Sequence, residues 1–261
     1  MYKIYNEDCL IGLKKLENES VDIVLTSPPY DKLRNYGGVV DNWNFDFFKQ
    51  VADELYRVVK TGGVVVWVVG DATVKGSETG TSFKQALYFK EIGFNIHDTM
   101  IYRKLNYAPQ THNRYEQEFE YMFCFSKNTK PKAFNPIKIP CKWAGTETWG
   151  KCTYYNPDDS QFSKPKKIIN DTKIKGNIFE YHTGSTTGSS KIKHPAMFPL
   201  QLAIDQIQSW SNENDVILDP FIGSGTTALA CKELHRDCIG FELNEDYYNI
   251  TMNRLNGDLN G

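Results

Sequence analysis

Five consecutive residues, Thr26-Ser27-Pro28-Pro29-Tyr30, carry most of the chemistry legible in this chain. They follow the apolar run Val21-Asp22-Ile23-Val24-Leu25, which reads as a buried strand. A strand that stops at a polar residue, two prolines and an aromatic ring presents a hydroxyl, backbone carbonyls and a flat face at one point. Proline has a fixed φ and no N–H, so the loop is held still and its carbonyls remain available as acceptors. That combination suits a planar amino group on an aromatic ring. Its N–H donors would meet the Ser27 hydroxyl and the Pro28 carbonyl, and its ring would stack on Tyr30. A second constellation lies near the other end. Val216-Ile217-Leu218-Asp219-Pro220-Phe221-Ile222-Gly223-Ser224-Gly225-Thr226-Thr227 runs from a strand through a glycine loop into Ala228–Leu234, a good helix former. Glycines there allow a tight turn and a close approach of backbone to ligand. Cys238-Ile239-Gly240-Phe241-Glu242 is a further strand ending on a carboxylate, where open α/β sheets commonly hold ribose hydroxyls. Taken alone, Gly223-x-Gly225-x-x-Ala228 with a downstream acid also matches a dinucleotide fingerprint.

These loops need a sheet to position them. Tyr2-Lys3-Ile4-Tyr5 reads as a short strand, followed by a short helix through Leu10, Leu13 and Leu16. Phe47, Phe48, Val51, Leu55, Val58 and Val59 recur at helical spacing and predict an amphipathic helix over Phe45–Lys60, ended by Gly62-Gly63. Val64–Val69 is a fully apolar strand of the kind parallel sheets bury on both faces. A helix over about Ser82–Ile92 precedes two β-rich runs, His97–Tyr102 and Phe119–Phe125. After Lys127 the periodicity stops: Pro131, Pro136, Pro140, Pro157 and Pro165 interrupt a stretch rich in Lys, Asn, Thr and Trp. Thr183–Ser190 has the composition of a flexible linker. Regularity returns at His194-Pro195-Ala196-Met197-Phe198-Pro199 and continues through a helix containing Leu202, Ile207 and Trp210.

The 261 residues, 40% hydrophobic and 24% charged, suffice for one sizeable α/β core and a smaller appended region. No apolar run approaches the roughly 18 residues of a membrane helix, and the Met1-Tyr2-Lys3 start lacks a signal-peptide pattern. A soluble, intracellular protein with no membrane partner is expected. Six scattered cysteines with no CxxC pair, and no metal-site spacing of His and Cys, predict reduced thiols and no bound metal. The net charge of −2 is unevenly divided: Lys127–Lys193 holds 13 Lys and 5 acids, or +8, which leaves −10 elsewhere. Phosphate binding follows local charge, so nucleic acid would be gripped by this middle segment. A solvated lysine-rich insertion is the alternative.

The polar-Pro-Pro-Tyr loop together with Asp219-Pro220-Phe221-x-Gly223-x-Gly225 resembles the paired motifs of the amino-methyltransferases that use S-adenosylmethionine to methylate exocyclic nitrogens of DNA bases. With the catalytic loop first, the basic region between and the cofactor loop last, the order is similar to the circularly permuted β-group of that family. The resemblance spans about Tyr2–Lys127 and His194–Leu255. It implies an α/β fold, a Rossmann-like methyltransferase sheet with an inserted target-recognition region. Residues 1–128 would be the catalytic half, 129–193 the basic target-recognition region, and 194–261 the cofactor-binding half. It assigns Ser27, Pro28, Pro29 and Tyr30 to catalysis on a flipped base. It assigns Asp8, His194, Phe198, Pro199, Asp219, Phe221, Gly223, Ser224, Gly225, Thr226 and Glu242 to S-adenosylmethionine. Asp8 would meet the amino group of the cofactor's adenine, and the His194–Pro199 segment would close over its methionine part; by residue type alone, Asp8 reads equally as a helix cap. In this family Ser at the first loop position goes mostly with cytosine N4 and Asp mostly with adenine N6. N4-cytosine methylation is therefore implied, with N6-adenine as the alternative. Double-stranded DNA is the implied partner and the cytoplasmic nucleoid the implied location. A cognate restriction endonuclease, and monomer against homodimer, stay open.

Other readings fit the residues less well. RNA and protein-glutamine amino-methyltransferases also use polar-Pro-Pro-Tyr loops, but their usual order puts the cofactor loop first. A nicotinamide-dependent dehydrogenase leaves the Pro-Pro loop unexplained. A DNA-binding module on an inactive core would not require Ser27, Tyr30, Asp219, Gly223, Gly225 and Glu242 together. C5-cytosine methylation needs a cysteine nucleophile, and the one Pro-Cys pair, Pro140-Cys141, lies in the irregular basic segment. Arg34, Asn35 and Tyr36 are candidates either for base and phosphate contact or for plain surface positions, and Arg114 and Glu118 are expected to form an ion pair near the sheet edge.

Overall fold

The computed structural model describes residues 1–29, 43–107, 113–148, 153–163, 166–183 and 199–257. Tyr30, Arg34, Asn35, Tyr36, His194 and Phe198 lie outside them. The chain forms two compact units, one of Met1–Asn135 with Asn177–Gly261 and one of Pro136–Gly176.

In chain order the first unit begins with β1 (Tyr2–Tyr5), α1 (Cys9–Lys15), β2 (Val21–Thr26), α2 (Phe45–Val58) and β3 (Val59–Val69). A small ribbon of β4 (Thr73–Val74) and β5 (Ser77–Glu78) leads to α3 (Thr81–Glu91), β6 (Phe94–Lys104) and β7 (Phe119–Lys127). The second unit holds two antiparallel ribbons: β8 (Lys138–Pro140) pairs with β11 (Thr172–Ile174), and β9 (Thr153–Tyr155) pairs with β10 (Gln161–Ser163). The chain then returns to the first unit with β12 (Ile178–Tyr181), α4 (Leu200–Trp210), β13 (Val216–Asp219), α5 (Thr226–Glu233), β14 (Asp237–Phe241) and α6 (Glu245–Asn256). The main sheet has eight strands in the order β1-β14-β13-β2-β3-β7-β6-β12. β7 runs antiparallel to both its neighbours, and every other pairing is parallel. This is the mixed α/β sheet expected from the sequence.

The central strands carry the apolar runs Ile23–Leu25 and Val64–Val69 because both faces are covered there. Val24, Val65 and Trp67 share one cluster with Leu13 of α1, Phe48, Val51 and Leu55 of α2, and Phe89 of α3. The alternate residues Ile23, Leu25, Val64 and Val66 point the other way and are equally buried. Trp67 is buried with its indole N–H satisfied, donating to Gln85 Oε1 at 2.9 Å. Polar side chains set the helix starts: Asp8, Asn44 and Asn244 each accept two backbone N–H groups of α1, α2 and α6 respectively.

The structure departs from the sequence expectation at three places. α2 stops at Val58 rather than Lys60, because Val59 already pairs with Val21 in the sheet. The register then shifts before Ile23 meets Val64, and Gly62 (φ +77°) and Gly63 absorb that irregularity. β12, inside the basic stretch that shows no period, is an eighth strand of the core. Its alternate residues Phe179 and Tyr181 are buried, and the Tyr181 hydroxyl donates to Asp205 Oδ2 on α4 at 2.6 Å. Four residues are too few to reveal an alternating pattern. Arg114 and Glu118 do not pair with one another: Arg114 reaches Glu78 of β5, and Glu118 pairs with Arg103, which also holds Glu180 of β12. β12 brings a second acid beside Arg103, which sequence proximity alone could not reveal.

The cysteines Cys9, Cys124, Cys141, Cys231 and Cys238 are free thiols. Among the described residues no helix is long and apolar enough to cross a membrane. The irregularity at the start of β3 yields a test. A Cβ on Gly63 would lie 2.8 Å from the Asp22 carbonyl oxygen and 2.9 Å from that of Lys60, backbone atoms that cannot swing away. Gly63→Ala should cost about 2–3 kcal/mol, read as a lowered urea midpoint with unchanged m-value. Gly76→Ala, at φ +81° with nothing within 4 Å, should cost only about 1–2 kcal/mol.

Candidate active site

β13 and β2 are sheet neighbours whose onward connections leave in opposite directions. β13 continues through α5 to β14 on one side, and β2 through α2 to β3 on the other. Such a reversal opens a crevice beyond the C-terminal ends of the strands, the usual ligand position in open α/β sheets. Both loops singled out by their residue types emerge there. Ser27-Pro28-Pro29 follows β2, and Pro220–Gly225 follows β13.

The two loops are joined through one buried carboxylate. Asp219, 2% exposed, ends β13. Its Oδ1 accepts the Thr26 hydroxyl at 2.6 Å and the Phe221 N–H at 3.1 Å, and its Oδ2 accepts the Thr227 hydroxyl at 2.6 Å. Asp219 thus turns both oxygens to the chain's own groups. Pro28 is buried beside this junction, whereas Ser27 and Pro29 are half-buried at the crevice.

The glycine loop is shaped by backbone conformation and braced by α6. Gly223 (φ +54°) and Gly225 (φ +82°) occupy the left-handed region that favours glycine, and Gly225 is the N-cap of α5. A Cβ on Gly225 would lie 2.6 Å from the Thr251 side chain. Thr251 donates its hydroxyl to the Gly223 carbonyl at 2.8 Å, and the Arg254 guanidinium donates to the Ser224 carbonyl. Burial lowers the pKa of that guanidinium. Ser224 and Thr226 are themselves buried within the loop.

At the end of β14, Glu242 accepts the Gly223 N–H at 2.9 Å on one oxygen and the Asn244 N–H at 2.8 Å on the other. Its pKa is raised, chiefly by burial. Asp8 stands just past the end of the neighbouring β1. One of its oxygens caps α1, accepting from Leu10 N at 2.8 Å and Ile11 N at 3.2 Å, so the cap reading of this residue holds. Asn6 ties the two strand ends by donating to the Glu242 carbonyl at 2.9 Å. Phe221 is half-buried with the Trp43 ring edge-on at a centroid distance of 5.2 Å. Pro199 is buried at the N-cap of α4. Among the described residues no three His, Cys, Asp or Glu side chains converge on a metal-sized point.

Residues 21–253 match the DNA methylase family of N6 and N4 methyltransferases. The chain belongs to this family. It is 48% identical over 241 residues to the orphan methyltransferase M.BamHII of Bacillus amyloliquefaciens, covering 90% of this chain and 89% of that protein. It is 27% identical over 252 residues to the DNA adenine methyltransferase YhdJ of Escherichia coli K12, covering 97% and 82%. Among solved structures, the PvuII DNA methyltransferase (cytosine-N4-specific) superposes with a TM-score of 0.71 at 21% identity, covering 97% of this chain and 87% of that one. The M1.HpyAVI–S-adenosylmethionine complex superposes with a TM-score of 0.62 at 25% identity, covering 97% and 100%. The protein is a DNA methyltransferase.

The roles of three residues in this methyltransferase's crevice escape a sequence reading. Thr26 and Thr227 adjoin the two motifs, but adjacency does not tell which hydroxyl turns inward. Trp43 stands alone before a helix and gives no signal at all. The buried carboxylate that joins the threonines has a measurable signature. Burial raises the Asp219 pKa to about 6, against the lowering effects of Thr227, Thr26 and the Phe221 N–H. With the folded pKa above the unfolded one, the native state keeps its proton longer as pH rises. Stability therefore falls between about pH 4 and pH 6 and levels off above. Relative to Asp219→Asn, which cannot ionise, the wild-type protein should lose on the order of 3 kcal/mol across that window. Urea unfolding of both proteins at pH 4, 5, 6 and 7.5 measures the difference.

Proposed function

We propose that this enzyme is a circularly permuted, β-group amino-methyltransferase that methylates N4 of a cytosine flipped out of double-stranded DNA. Ser27, at the first position of the Pro-Pro loop and at the same sheet edge as the glycine loop, carries this reading. The cofactor is S-adenosylmethionine, the ligand of the M1.HpyAVI complex. The residues present fit it. Gly223 and Gly225 give the backbone a turn that side chains would obstruct. Glu242 accepts the Gly223 and Asn244 N–H groups on separate oxygens, and its remaining acceptor capacity suits a ribose diol. Phe221, Ser224, Thr226, Asp8 and the His194–Pro199 segment complete the proposed cofactor site. When bound, the cofactor supplies a methyl group already activated by its sulfonium.

The protein's part is then orientation and a shift of electron density. An aromatic amino group is a weak nucleophile because its lone pair is delocalised into the ring. Hydrogen bonds from its two N–H groups to Ser27 Oγ and the Pro28 carbonyl would draw the nitrogen toward tetrahedral geometry and take up positive charge as the N–C bond forms, the carbon–sulfur bond breaks and the nitrogen gives up one proton to solvent. Pro28 and Pro29 hold that carbonyl still. Tyr30 stacks on the flipped base and offsets part of the few kcal/mol lost on unstacking. The basic region between the two loops grips the duplex. Within it, the unit of Pro136–Gly176 has 8 Lys against 4 acids, a local charge suited to phosphate contact. Relatives named as Type II methyltransferases, such as M.HpaI of Haemophilus parainfluenzae, favour a place in restriction–modification, whereas the 48%-identical relative named an orphan methyltransferase favours an enzyme without a cognate endonuclease.

N6-adenine methylation is the second reading, favoured by the adenine specificity named for YhdJ. The two are separated by nucleoside mass analysis of unmethylated genomic DNA after incubation with the protein and deuteromethyl-labelled S-adenosylmethionine. Labelled N4-methylcytosine is expected, and Ser27→Ala should lower its rate on the order of 10- to 100-fold. Labelled N6-methyladenine would transfer the same chemistry to adenine; label in neither base would overturn the proposal.

A further inference from the structure

Thr26 and Asp219 are 193 positions apart in the chain, yet each is the last residue of its strand and the first anchor of a functional loop. Thr227, the third member, lies in the first turn of α5, just past the glycine loop. We propose that Asp219 is a positioning residue through which the glycine loop and Ser27-Pro28-Pro29 set each other's placement, so that cofactor affinity and methyl transfer depend on one hydrogen-bonded unit, Thr26–Asp219–Thr227. This deepens the proposed function and rests on its reading of Ser27-Pro28-Pro29 as the catalytic loop.

The unit leaves little slack. Thr26, Asp219 and Thr227 are all buried, at 0%, 2% and 1% exposure, so no bulk water stands by to replace a lost donor. A carboxylate deprived of one of its hydroxyls is left under-solvated, and it recovers contact only by moving its strand end or its neighbour. Either movement is transmitted directly. Asp219 also accepts the Phe221 N–H, which starts the cofactor loop, while Thr26 is bonded to Ser27, whose hydroxyl and following carbonyl must meet the reacting amino group. Shifts of about an ångström at reacting atoms are worth on the order of a hundredfold in rate. Coupling of this kind is reciprocal for binding: whatever the ordered cofactor loop lends to the Pro-Pro loop, the Pro-Pro loop lends to the cofactor. Neither threonine needs to touch cofactor or base to act in this way.

Two measurements test it. Calorimetry gives the affinity for S-adenosylhomocysteine without DNA, and methyl transfer to unmethylated genomic DNA at saturating S-adenosylmethionine gives kcat. Wild type, Thr26→Val, Thr26→Ser, Thr227→Val and the double valine variant are compared. Thr26→Val should weaken S-adenosylhomocysteine about tenfold although it lies on the catalytic strand, and Thr26→Ser, which keeps the hydroxyl, should restore affinity to within about twofold. Thr227→Val should lower kcat about tenfold even when saturated with cofactor, and the double variant should lose less than the product of the single losses. Wild-type affinity in Thr26→Val, or wild-type kcat in saturated Thr227→Val, overturns the coupling, and each arm decides alone if the other variant does not fold. Wild-type protein that binds no S-adenosylhomocysteine would instead overturn the proposed function on which the coupling rests.

Discussion

A carboxylate buried at the line where the sheet parts sets the terms for everything around it. Asp219 is almost wholly shielded from water, burial raises its pKa to about 6, and among the described residues its hydrogen-bond partners are two hydroxyls and a backbone N–H, none of them basic. Burying such a charge unaided would cost several kcal/mol. Three donors offset part of that cost, since hydrogen bonds to charged groups are worth about 1.5–3 kcal/mol each, and burial still outweighs them. The donors come from β2, from the loop after β13 and from α5, so satisfying one side chain fixes three segments at once. The crevice between the strands is consequently a rigid place, built by the same contacts that make the charge tolerable.

The glycine loop follows the same economy of shared partners. Glu242 uses its two oxygens to hold Gly223 from one side and Asn244 from the other, which locks the glycine loop to the start of α6. α6 answers through Thr251 and Arg254, which take the carbonyls of Gly223 and Ser224. The glycine loop is therefore held between α6 and the strand ends, with the Gly223 N–H and the Gly223 and Ser224 carbonyls already bonded within the chain. Preorganisation of this kind reduces the ordering cost of binding. It suits an enzyme whose methyl donor is already reactive and whose main task is alignment.

Charge is partitioned unevenly along the chain. The methyltransferase core is acidic overall, while the stretch between its two motif-bearing parts is basic. Most of that basic stretch folds as a separate small unit of short ribbons, but Ile178–Tyr181 rejoins the core as the outermost strand beside β6. The insertion is thus stitched back to the sheet through Tyr181 and α4 before the chain enters its second motif.

Much was legible in the sequence because it is written in local patterns. Uninterrupted apolar runs announced β2 and β3, helical spacing announced α2, and Ser27-Pro28-Pro29, Gly223, Gly225 and Glu242 announced a strand-end chemistry, since Pro, Gly and a terminal acid constrain backbone and ligand on their own. What the sequence could not contain is who meets whom across 193 positions. The inward turn of Thr26 and Thr227, the exchange of partners between Arg103, Arg114, Glu78 and Glu118, the capture of β12 by β6 and the edge of Trp43 on Phe221 all depend on strand order. Strand order is decided by how both faces of the sheet are covered, and that exists only once the chain is folded. The sequence by itself determined which residue types stand in each loop and that each loop follows a strand. Tertiary structure alone decided that the two loops open at one sheet edge, because β13 pairs beside β2 and so brings Asp219 to Thr26.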